Sequence, residues 1–472
     1  AEVDQFNQTR LVIGIDDYDF SWKLKKGESF STPEVCLTYS ADGFSKLSQT
    51  LHQAIVSNLI RSCWKDRVRP ILVNNWEATY FDFNKDNLIA IAKEAAELNL
   101  DMLVLDDGWF GKRDDDFSGL GDWFVNEKKL CGTLSELVKE VHDMGLSFGL
   151  WFEPEMISED SNLYREHPDW ILSTPGRHIS HGRNQYILDF SRAEVVDAIY
   201  GQMEKILEDA PISYIKWDMN RSLMAAYSAK LPRDRQGELR HRYVLGLYKV
   251  LEAVTQRFPE LLLEGCSGGG GRFDAGMLYY CPQIWCSDNT DAIERLRIQY
   301  GTSFGYPMSS VSAHVSVCPN HQNHRVTPFK TRGICAMQGT FGYELDLSKM
   351  TDEEKKMAGE QIAFFKEHGR LFQFGDYYRL TSPFENRDYT VWEYAAQDGS
   401  EACMSVVYTD MYANAASEIV KWKGLDPKKV YQMQLDGEDA GNFSGAALMH
   451  AGILLPLPEQ NYDAFQIYLK AE

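Results

Sequence analysis

Tyr214-Ile-Lys-Trp-Asp-Met-Asn220 is the stretch of sequence that decides the fold. Two apolar residues, Tyr214 and Ile215, precede a polar cluster in which Asp218 lies between Lys216 and Asn220. A buried strand that ends in this way delivers its last side chains to one rim of a sheet, where ligands bind in α/β folds. A carboxylate beside a lysine suits a nucleophile or a ligand-binding anion. A structural ion pair at a strand end explains these seven residues equally well.

The same pattern recurs along the chain, because short apolar runs repeatedly end in polar or aromatic side chains. Asn84 predicts a helix cap, Thr133 with Glu136 predicts a capping box, and helical stretches separate several of the runs. The eight runs are 71–73, 103–105, 148–150, 187–188, 214–215, 261–263, 284–285 and 311–313. Eight polar strand ends predict a (β/α)8 TIM barrel with its site at the C-terminal rim of the strands. A doubly wound sheet is the alternative, but it does not need eight polar strand ends.

The segments on either side of the barrel have a β-rich pattern. In residues 1–65, the runs 10–15 and 34–39 predict strands, and a helix follows over 43–59. So few strands would leave unpaired edges, which predicts the C-terminal part of an N-terminal β-sandwich domain.

The predicted barrel occupies residues 66–380 and ends with a capped helix from Thr351 to about His368. Alternation then returns in three apolar stretches within residues 381–472, which predicts a small C-terminal antiparallel β-sandwich.

Composition excludes several classes of function. A chain of 472 residues with 44% hydrophobic residues has ample material for a barrel and accessory domains. The formal charge of −21 argues against a nucleic-acid partner, whose phosphates it would repel. No apolar stretch of about 18 residues predicts a membrane span. Nine scattered cysteines without a CxxC pair, and an N-terminus without an apolar signal-peptide core, predict a reducing, cytoplasmic location.

The strand ends are rich in carboxylates: Asp106, Asp107, Glu153, Glu155, Asp189, Asp218, Glu264 and Asp288. Most catalytic zinc or iron sites need histidines that these positions lack, and His314 and His181 are isolated candidates better read as hydrogen-bonding residues. The glycines of 268–271 lack a following Lys-Ser/Thr, so they predict a close backbone approach to a ligand rather than a phosphate site. No metal or other cofactor is therefore predicted.

Paired carboxylates among many rim aromatics fit glycoside hydrolysis, in which one acid attacks or activates water and another protonates the leaving oxygen. Six runs of the sequence resemble α-galactosidases of glycoside hydrolase family 36, and together they are specific. They are Asn75-Trp-Glu-Ala-Thr-Tyr-Phe-Asp-Phe, Leu105-Asp-Asp-Gly-Trp-Phe-Gly, Gly149-Leu-Trp-Phe-Glu-Pro-Glu-Met, Ile215-Lys-Trp-Asp-Met-Asn, Glu264-Gly-Cys-Ser-Gly-Gly-Gly-Gly-Arg-Phe-Asp and Trp285-Cys-Ser-Asp-Asn-Thr-Asp.

By that resemblance, Asp218 matches the catalytic nucleophile and Asp288 the acid/base, with Asp291 as a rival. Asp106 and Asp107 match the pair that binds the O4 and O6 hydroxyls of galactose. The other predicted sugar contacts are Trp76, Trp151, Arg183, Lys216, Asn220, Cys266 and Gly269.

Several of these assignments have structural alternatives. Asp106 is also explained as a helix cap, whereas Cys266, Trp151 and Trp76 are also explained as packing residues. Glu153 and Glu155 are expected to support the site from behind.

The resemblance implies a retaining exo-α-galactosidase that acts without a cofactor on α-1,6-galactosides of the melibiose or raffinose type. Galactosyl transfer of the raffinose-synthase type is one alternative, and a galactoside-binding fragment without turnover is another. The long bacterial members carry a large β-sandwich before the barrel, of which the last part is recognised here. A homo-oligomer is expected if that full domain is present.

Overall fold

The computed structural model describes residues 1–179, 182–224 and 226–472, and a closed barrel of eight parallel strands lies at its centre. The barrel strands are Leu72–Asn74, Met102–Leu105, Ser147–Phe152, Tyr214–Trp217, Leu262–Gly265, Gln283–Trp285, the two pieces Val311–Ser312 and Val315–Ser316, and Gly342–Glu344. The seventh strand pairs with the sixth through Val311 and with the eighth through Val315. The eighth strand pairs with the first, which closes the ring and confirms the predicted barrel.

One predicted barrel strand is wrong, and one observed strand was missed. Residues 187–188 do not enter the barrel, because Tyr186–Ile187 pairs antiparallel with Met156–Ile157 in an excursion after the third strand. The strand that was not predicted is Gly342–Glu344, because its sequence, Gly-Tyr-Glu, does not form an apolar run. A Cβ at Gly342 would lie 2.8 Å from both the Leu72 carbonyl oxygen and the ring of His314, so this close approach requires glycine.

Helices surround the barrel and bury their apolar faces against it. The longer ones are Lys85–Glu97, Leu134–Asp143, Ala193–Asp209, Leu239–Arg257, Ala292–Thr302, Phe329–Ala336 and Asp352–Phe374. The predicted N-caps Asn84 and Thr133 are both confirmed, each with a complete capping box. The last barrel helix passes its predicted end at His368, because buried Leu371 and Phe372 continue its apolar face.

The N-terminal helix Gly43–Ala54, of 12 residues, and shorter helical elements complete the chain. They are Gly43–Ala54, the π-helix Ile55–Leu59, Cys63–Asp66, Trp76–Thr79, Asn162–Glu166, Pro168–Trp170, Arg233–Glu238, Ala275–Tyr280, Met308–Ser310, Leu347–Lys349 and Gly445–His450. The first two confirm the predicted helix over 43–59. In the part of the chain that the structure describes, no helix has the length and apolar character needed to cross a membrane.

The C-terminal region is an antiparallel sheet of six strands. In spatial order they are Asp376–Arg379, Tyr389–Ala395, Glu401–Tyr408, Ala464–Ala471, Val430–Leu435 and Glu438–Ser444. Because side chains alternate along a strand, Trp392 and Tyr394 join the barrel core, whereas Val391 joins a second cluster with Trp422. A separate two-stranded ribbon, Ile419–Val420 with Ile453–Leu454, adds Val420 to the second cluster, whereas the sandwich arrangement stays a prediction. The division at 380/381 stays a prediction, although the first of the six strands precedes it.

The N-terminal strands predicted at 10–15 and 34–39 are wrong. In this segment, Glu2–Val3 pairs with Thr9–Arg10, and residues 11–42 contain no strand. An extended segment becomes a strand only when a neighbour supplies partners for its N–H and C=O groups. Apart from Arg10, which pairs with Glu2, the residues of these two runs have no strand partner among the described residues. The assignment of 1–65 to a β-sandwich domain therefore remains a prediction.

Candidate active site

A polar cavity of about 180 Å³ opens at the C-terminal rim of the barrel. The predicted site residues that line it are Trp76, Asp106, Asp107, Trp151, Arg183, Lys216, Asp218, Asn220 and Asp288. A larger cavity, of about 460 Å³, lies between the helix Ala292–Thr302 and the C-terminal sheet, and its lining includes none of these nine residues.

Asp218 follows the fourth barrel strand, and hydrogen-bond donors hold both of its carboxyl oxygens. Its Oδ2 accepts from Trp151 Nε1 at 3.2 Å and from Asn220 Nδ2 at 2.6 Å. Its Oδ1 accepts from the backbone N–H of Met219 at 2.8 Å. These bonds fix the orientation of the carboxyl group, as the attacking group of a displacement reaction requires.

Asp288 follows the sixth strand and lines the same cavity. Trp285 Nε1 donates to its Oδ1 at 3.1 Å. Burial raises the pKa of Asp288, and the negative charge of Asp218 raises it further, whereas Lys216 opposes the change. A carboxyl group that keeps its proton to higher pH is suited to donate that proton to a leaving oxygen.

The neighbouring acids Asp106 and Asp107 are both buried and held by different cations. Asp106 Oδ2 accepts from Lys216 Nζ at 2.9 Å and from Asn74 Nδ2 at 2.6 Å. Asp107 receives a forked pair of bonds from Arg113, whose side chain is 2% exposed. The helix-cap explanation of Asp106 is wrong, because its side chain accepts from Asn74, Lys216 and the backbone N–H of Asp107, and none of these contacts caps a helix. No sequence pattern pointed to Arg113, which lies in a polar loop.

Two glutamates on the cavity wall were also missed as site residues. Glu344 ends the unpredicted eighth strand, and its Oε2 lies 3.3 Å from His314 Nδ1. Glu77 follows Trp76, and burial together with the charge of Glu344 raises its pKa to about 8. Glu77 lies within one of the family-like runs, so the sequence offered a signal there, whereas Glu344 carried none.

Cys266 and Gly269 do not appear among the described residues that line the cavity. Gly269 has a φ of +82°, and a Cβ there would lie 2.7 Å from the backbone N of Asp288. This glycine therefore lets the backbone pack directly behind Asp288. Burial, followed by the charge of Asp218, raises the pKa of the Cys266 thiol well above its usual range, so the thiol stays neutral. Sugar contact by these two residues remains a prediction.

Glu153 contacts the site residue Asn220 without lining the cavity, whereas the supporting role expected of Glu155 stays a prediction. Glu153 accepts from the Asn220 backbone N–H and from Gln185 Nε2, the latter at 2.7 Å. Burial and the charge of Asp218 raise the pKa of Glu153 to about 8. Glu155 is fully buried and lies 2.8 Å from Arg272 Nη1.

Asp291, the rival acid/base, has a structural role. It caps the helix Ala292–Thr302 through the backbone N–H groups of Ile293 and Glu294, and it pairs with Arg325. His314 is a hydrogen-bonding residue, whereas His181 lies outside the described residues. Within the described ranges, no three His, Cys, Asp or Glu side chains cluster in a way that could hold a metal ion.

Comparison with known families and proteins matches the whole length of the chain. A family model described as Melibiase matches residues 29–375, and one described as Glycosyl hydrolase family 36 C-terminal domain matches residues 389–469. Alpha-galactosidase AgaA of Geobacillus stearothermophilus is 52% identical over 100% of this chain and 64% of its own length. Bifunctional alpha-galactosidase/sucrose kinase AgaSK of Mediterraneibacter gnavus is 53% identical over 99% of this chain and 49% of its own length.

Solved structures match equally well. The crystal structure of AgaA superposes with a TM-score of 0.97 at 52% identity, covering 100% of this chain and 65% of that one. A variant of AgaA in complex with raffinose superposes with a TM-score of 0.97 at 51% identity and the same coverage. The chain thus spans one half to two thirds of the length of these relatives.

Proposed function

The chain belongs to glycoside hydrolase family 36, and we propose that it is a retaining exo-α-galactosidase that removes terminal α-1,6-linked galactose by double displacement. One observation carries the proposal: Asp218 and Asp288 line a single small cavity in two different hydrogen-bonding environments. Retaining enzymes need two such carboxyl groups, one as nucleophile and one as acid and then base.

In the first step, the oriented carboxylate of Asp218 attacks the anomeric carbon, and a galactosyl ester forms as the bond to the leaving oxygen breaks. The carboxyl group of Asp288 gives its proton to that oxygen. In the second step, Asp288 takes a proton from water, whose oxygen attacks the anomeric carbon and displaces Asp218. The product is galactose with its original α configuration.

Selection of galactose is proposed to rest on Asp106 and Asp107. Each is buried, and each already has a cationic partner, Lys216 or Arg113, that fixes its direction. A sugar without an axial O4 hydroxyl would leave a buried acceptor without its hydrogen bond, which costs about 1–3 kcal/mol. The small cavity, lined also by Trp76 and Trp151, favours one terminal sugar ring over an internal one.

Oligosaccharides of the raffinose type are the proposed natural substrates. The AgaA variant structures with raffinose and with stachyose bound support this choice, since this chain is 51% identical to both. We further propose that the protein works in the reducing cytoplasm, because all nine of its cysteines are free and five of them are buried.

The proposed function is tested with p-nitrophenyl α-galactoside, with and without an acceptor sugar. Release of free galactose supports hydrolysis, a galactosylated acceptor as the main product supports transfer, and binding without turnover supports a binding fragment. Asp218→Ala should abolish turnover, because no galactosyl ester can form. Asp189→Asn is a matched control outside the cavity, where Asp189 bonds to Ser191 and Ser228.

Assembly with further protein is proposed for the N-terminal segment. Residues 1–42 contain no long strand, yet they expose Phe6, Val12 and Leu37 to 70% or more. Exposed apolar side chains at this density favour burial against other protein. We propose that a second copy of this chain, or a further segment of the same polypeptide, packs against them. Sedimentation of the chain, and of a Phe6→Ser/Val12→Ser/Leu37→Ser variant, measures whether this segment drives association.

A further inference from the structure

The loop that carries Asp288 is fastened to the loop after the seventh barrel strand by hydrogen bonds that converge on Thr290. The Thr290 hydroxyl donates to Glu77 Oε1 at 2.8 Å and accepts from Asn320 Nδ2 at 3.1 Å. Its carbonyl oxygen accepts from the Ser316 hydroxyl at 2.9 Å. Thr290 is 5% exposed, so water competes little for these bonds.

Glu77 occupies the centre of this network, although it lies in the short helix Trp76–Thr79 that follows the first barrel strand. Its Oε2 accepts from the backbone N–H of Val317 at 3.1 Å, and its Oε1 lies 3.2 Å from His321 Nδ1. One carboxyl group therefore joins the Asp288 loop, through Thr290, to the neighbouring loop, through Val317. The side chain of Glu77 is 2% exposed, so its position is set by these partners.

The neighbouring loop in turn contacts Asp288 itself. Gln322 Nε2 donates to the backbone carbonyl oxygen of Asp288 at 2.9 Å. Gly269 also packs against the Asp288 backbone, because a Cβ at this glycine would lie 2.7 Å from the backbone N of Asp288. Two contacts thus hold the main chain at Asp288, and Glu77 joins the Asp288 loop to the loop that provides one of them.

We propose that Glu77 is a positioning residue for the acid/base Asp288, acting through Thr290 and Val317. This inference rests on the proposed α-galactosidase function. Glu77 lines the cavity but takes part in neither chemical step. It holds the Asp288 loop in the position from which the Asp288 carboxyl group reaches the leaving oxygen. General acid catalysis depends on such geometry, since a displacement of about 1 Å can cost about 100-fold in rate.

A misplaced general acid has a characteristic consequence. Substrates with good leaving groups need little protonation, whereas sugar or alkyl leaving groups need the full contribution of the acid, about 100- to 10,000-fold. Loss of Glu77 or of the Thr290 hydroxyl should therefore slow the hydrolysis of galactosides with poor leaving groups selectively. A general loss of structure would slow both classes of substrate and would weaken galactose binding.

The experiment compares Thr290→Val, which is nearly isosteric, and Glu77→Ala with the wild type. We expect kcat/KM for methyl α-galactoside to fall about 10- to 100-fold in both variants. For 2,4-dinitrophenyl α-galactoside we expect a fall below about threefold, because that leaving group does not need the acid.

Two buried side chains far from the cavity provide matched controls. The Thr331 hydroxyl donates to the Tyr462 carbonyl oxygen at 2.5 Å, and Glu393 accepts from the Lys423 backbone N–H at 2.9 Å. Thr331→Val and Glu393→Ala should change both substrates by the same factor. Equal losses on both substrates in Thr290→Val, or no loss, overturn the inference while the proposed function stands. A wild-type protein that hydrolyses neither substrate contradicts the proposed function and, with it, this inference.

Discussion

Arg113 binds the carboxyl group of Asp107 through two nitrogens, with Nε 3.0 Å from Oδ1 and Nη2 2.8 Å from Oδ2. The two side chains are 2% and 7% exposed, so the pair is almost fully removed from water. Planar, two-point contact fixes the direction of the carboxyl group more firmly than a single bond would. Asp107 can therefore present an oriented oxygen to the cavity, and this makes both the affinity and the stability of the site depend on Arg113.

The first prediction concerns this pair. Asp107→Asn should weaken galactose binding by about 1.5–3 kcal/mol, because a hydrogen bond to a charged group is lost. Arg113→Met should lower the free energy of unfolding by about 3–5 kcal/mol, because an uncompensated carboxylate stays buried. The double variant should lose less stability than the sum of the two single variants. Galactose inhibition and urea denaturation measure these effects, and strictly additive losses would contradict the coupling.

The second prediction concerns stereochemistry. Asp218 and Asp288 should face one another across the cavity at roughly 5–5.5 Å, the carboxyl separation of retaining enzymes. Proton NMR of the first product of p-nitrophenyl α-galactoside hydrolysis should then show α-galactose before mutarotation. Early β-galactose would assign the enzyme to the inverting class, in which the two groups are about 6.5–9.5 Å apart.

The third prediction separates the two candidate acids. Asp288→Ala should slow the hydrolysis of raffinose much more than that of an activated aryl galactoside, because a good leaving group needs little protonation. Asp291→Ala should slow both substrates equally and cost about 0.5–2 kcal/mol of stability, because Asp291 caps a helix. Steady-state kinetics with both substrates and thermal unfolding of each variant give the comparison. A selective loss on raffinose in Asp291→Ala would transfer the acid role to that residue.

The fourth prediction concerns pH. The charge of Asp218 is one cause of the raised pKa of Asp288. A raised pKa keeps Asp288 protonated to higher pH, as the first step needs, and activity falls as pH rises through it. Formation of the galactosyl ester removes the charge of Asp218, so the pKa of Asp288 should fall and leave a carboxylate base for the second step.

The pKa change can be measured by carbon-13 NMR of labelled aspartate carboxyl groups. Spectra of the free enzyme are compared with those of the enzyme trapped by a slow fluorinated galactoside, with Asp288→Asn used for assignment. An equal pKa of Asp288 in both states would show that the charge of Asp218 does not raise the pKa of Asp288.

Much of the fold was determined by the sequence itself. Seven of the eight predicted runs are barrel strands, and the caps at Asn84, Thr133 and Thr351 are where the pattern placed them. These features are local, since apolar spacing and a capping side chain lie within a few residues of what they specify. Eight of the nine predicted site residues in the cavity lie in or just after barrel strands, whose ends meet at one rim, whereas Arg183 reaches the cavity from the excursion after the third strand.

Only the tertiary structure decided the remainder. Tyr186–Ile187 and Gly342–Glu344 are both too short to show a period, and their pairing depends on strands far away in the chain. Arg113 and Glu77 likewise gain their roles from partners that no spacing predicts, such as Thr290, 213 residues from Glu77. A buried charge or hydroxyl must find its partner wherever the fold brings one within hydrogen-bond distance. Which partner that is depends on the folded chain as a whole. Local sequence patterns therefore predicted the strands and caps but not these contacts.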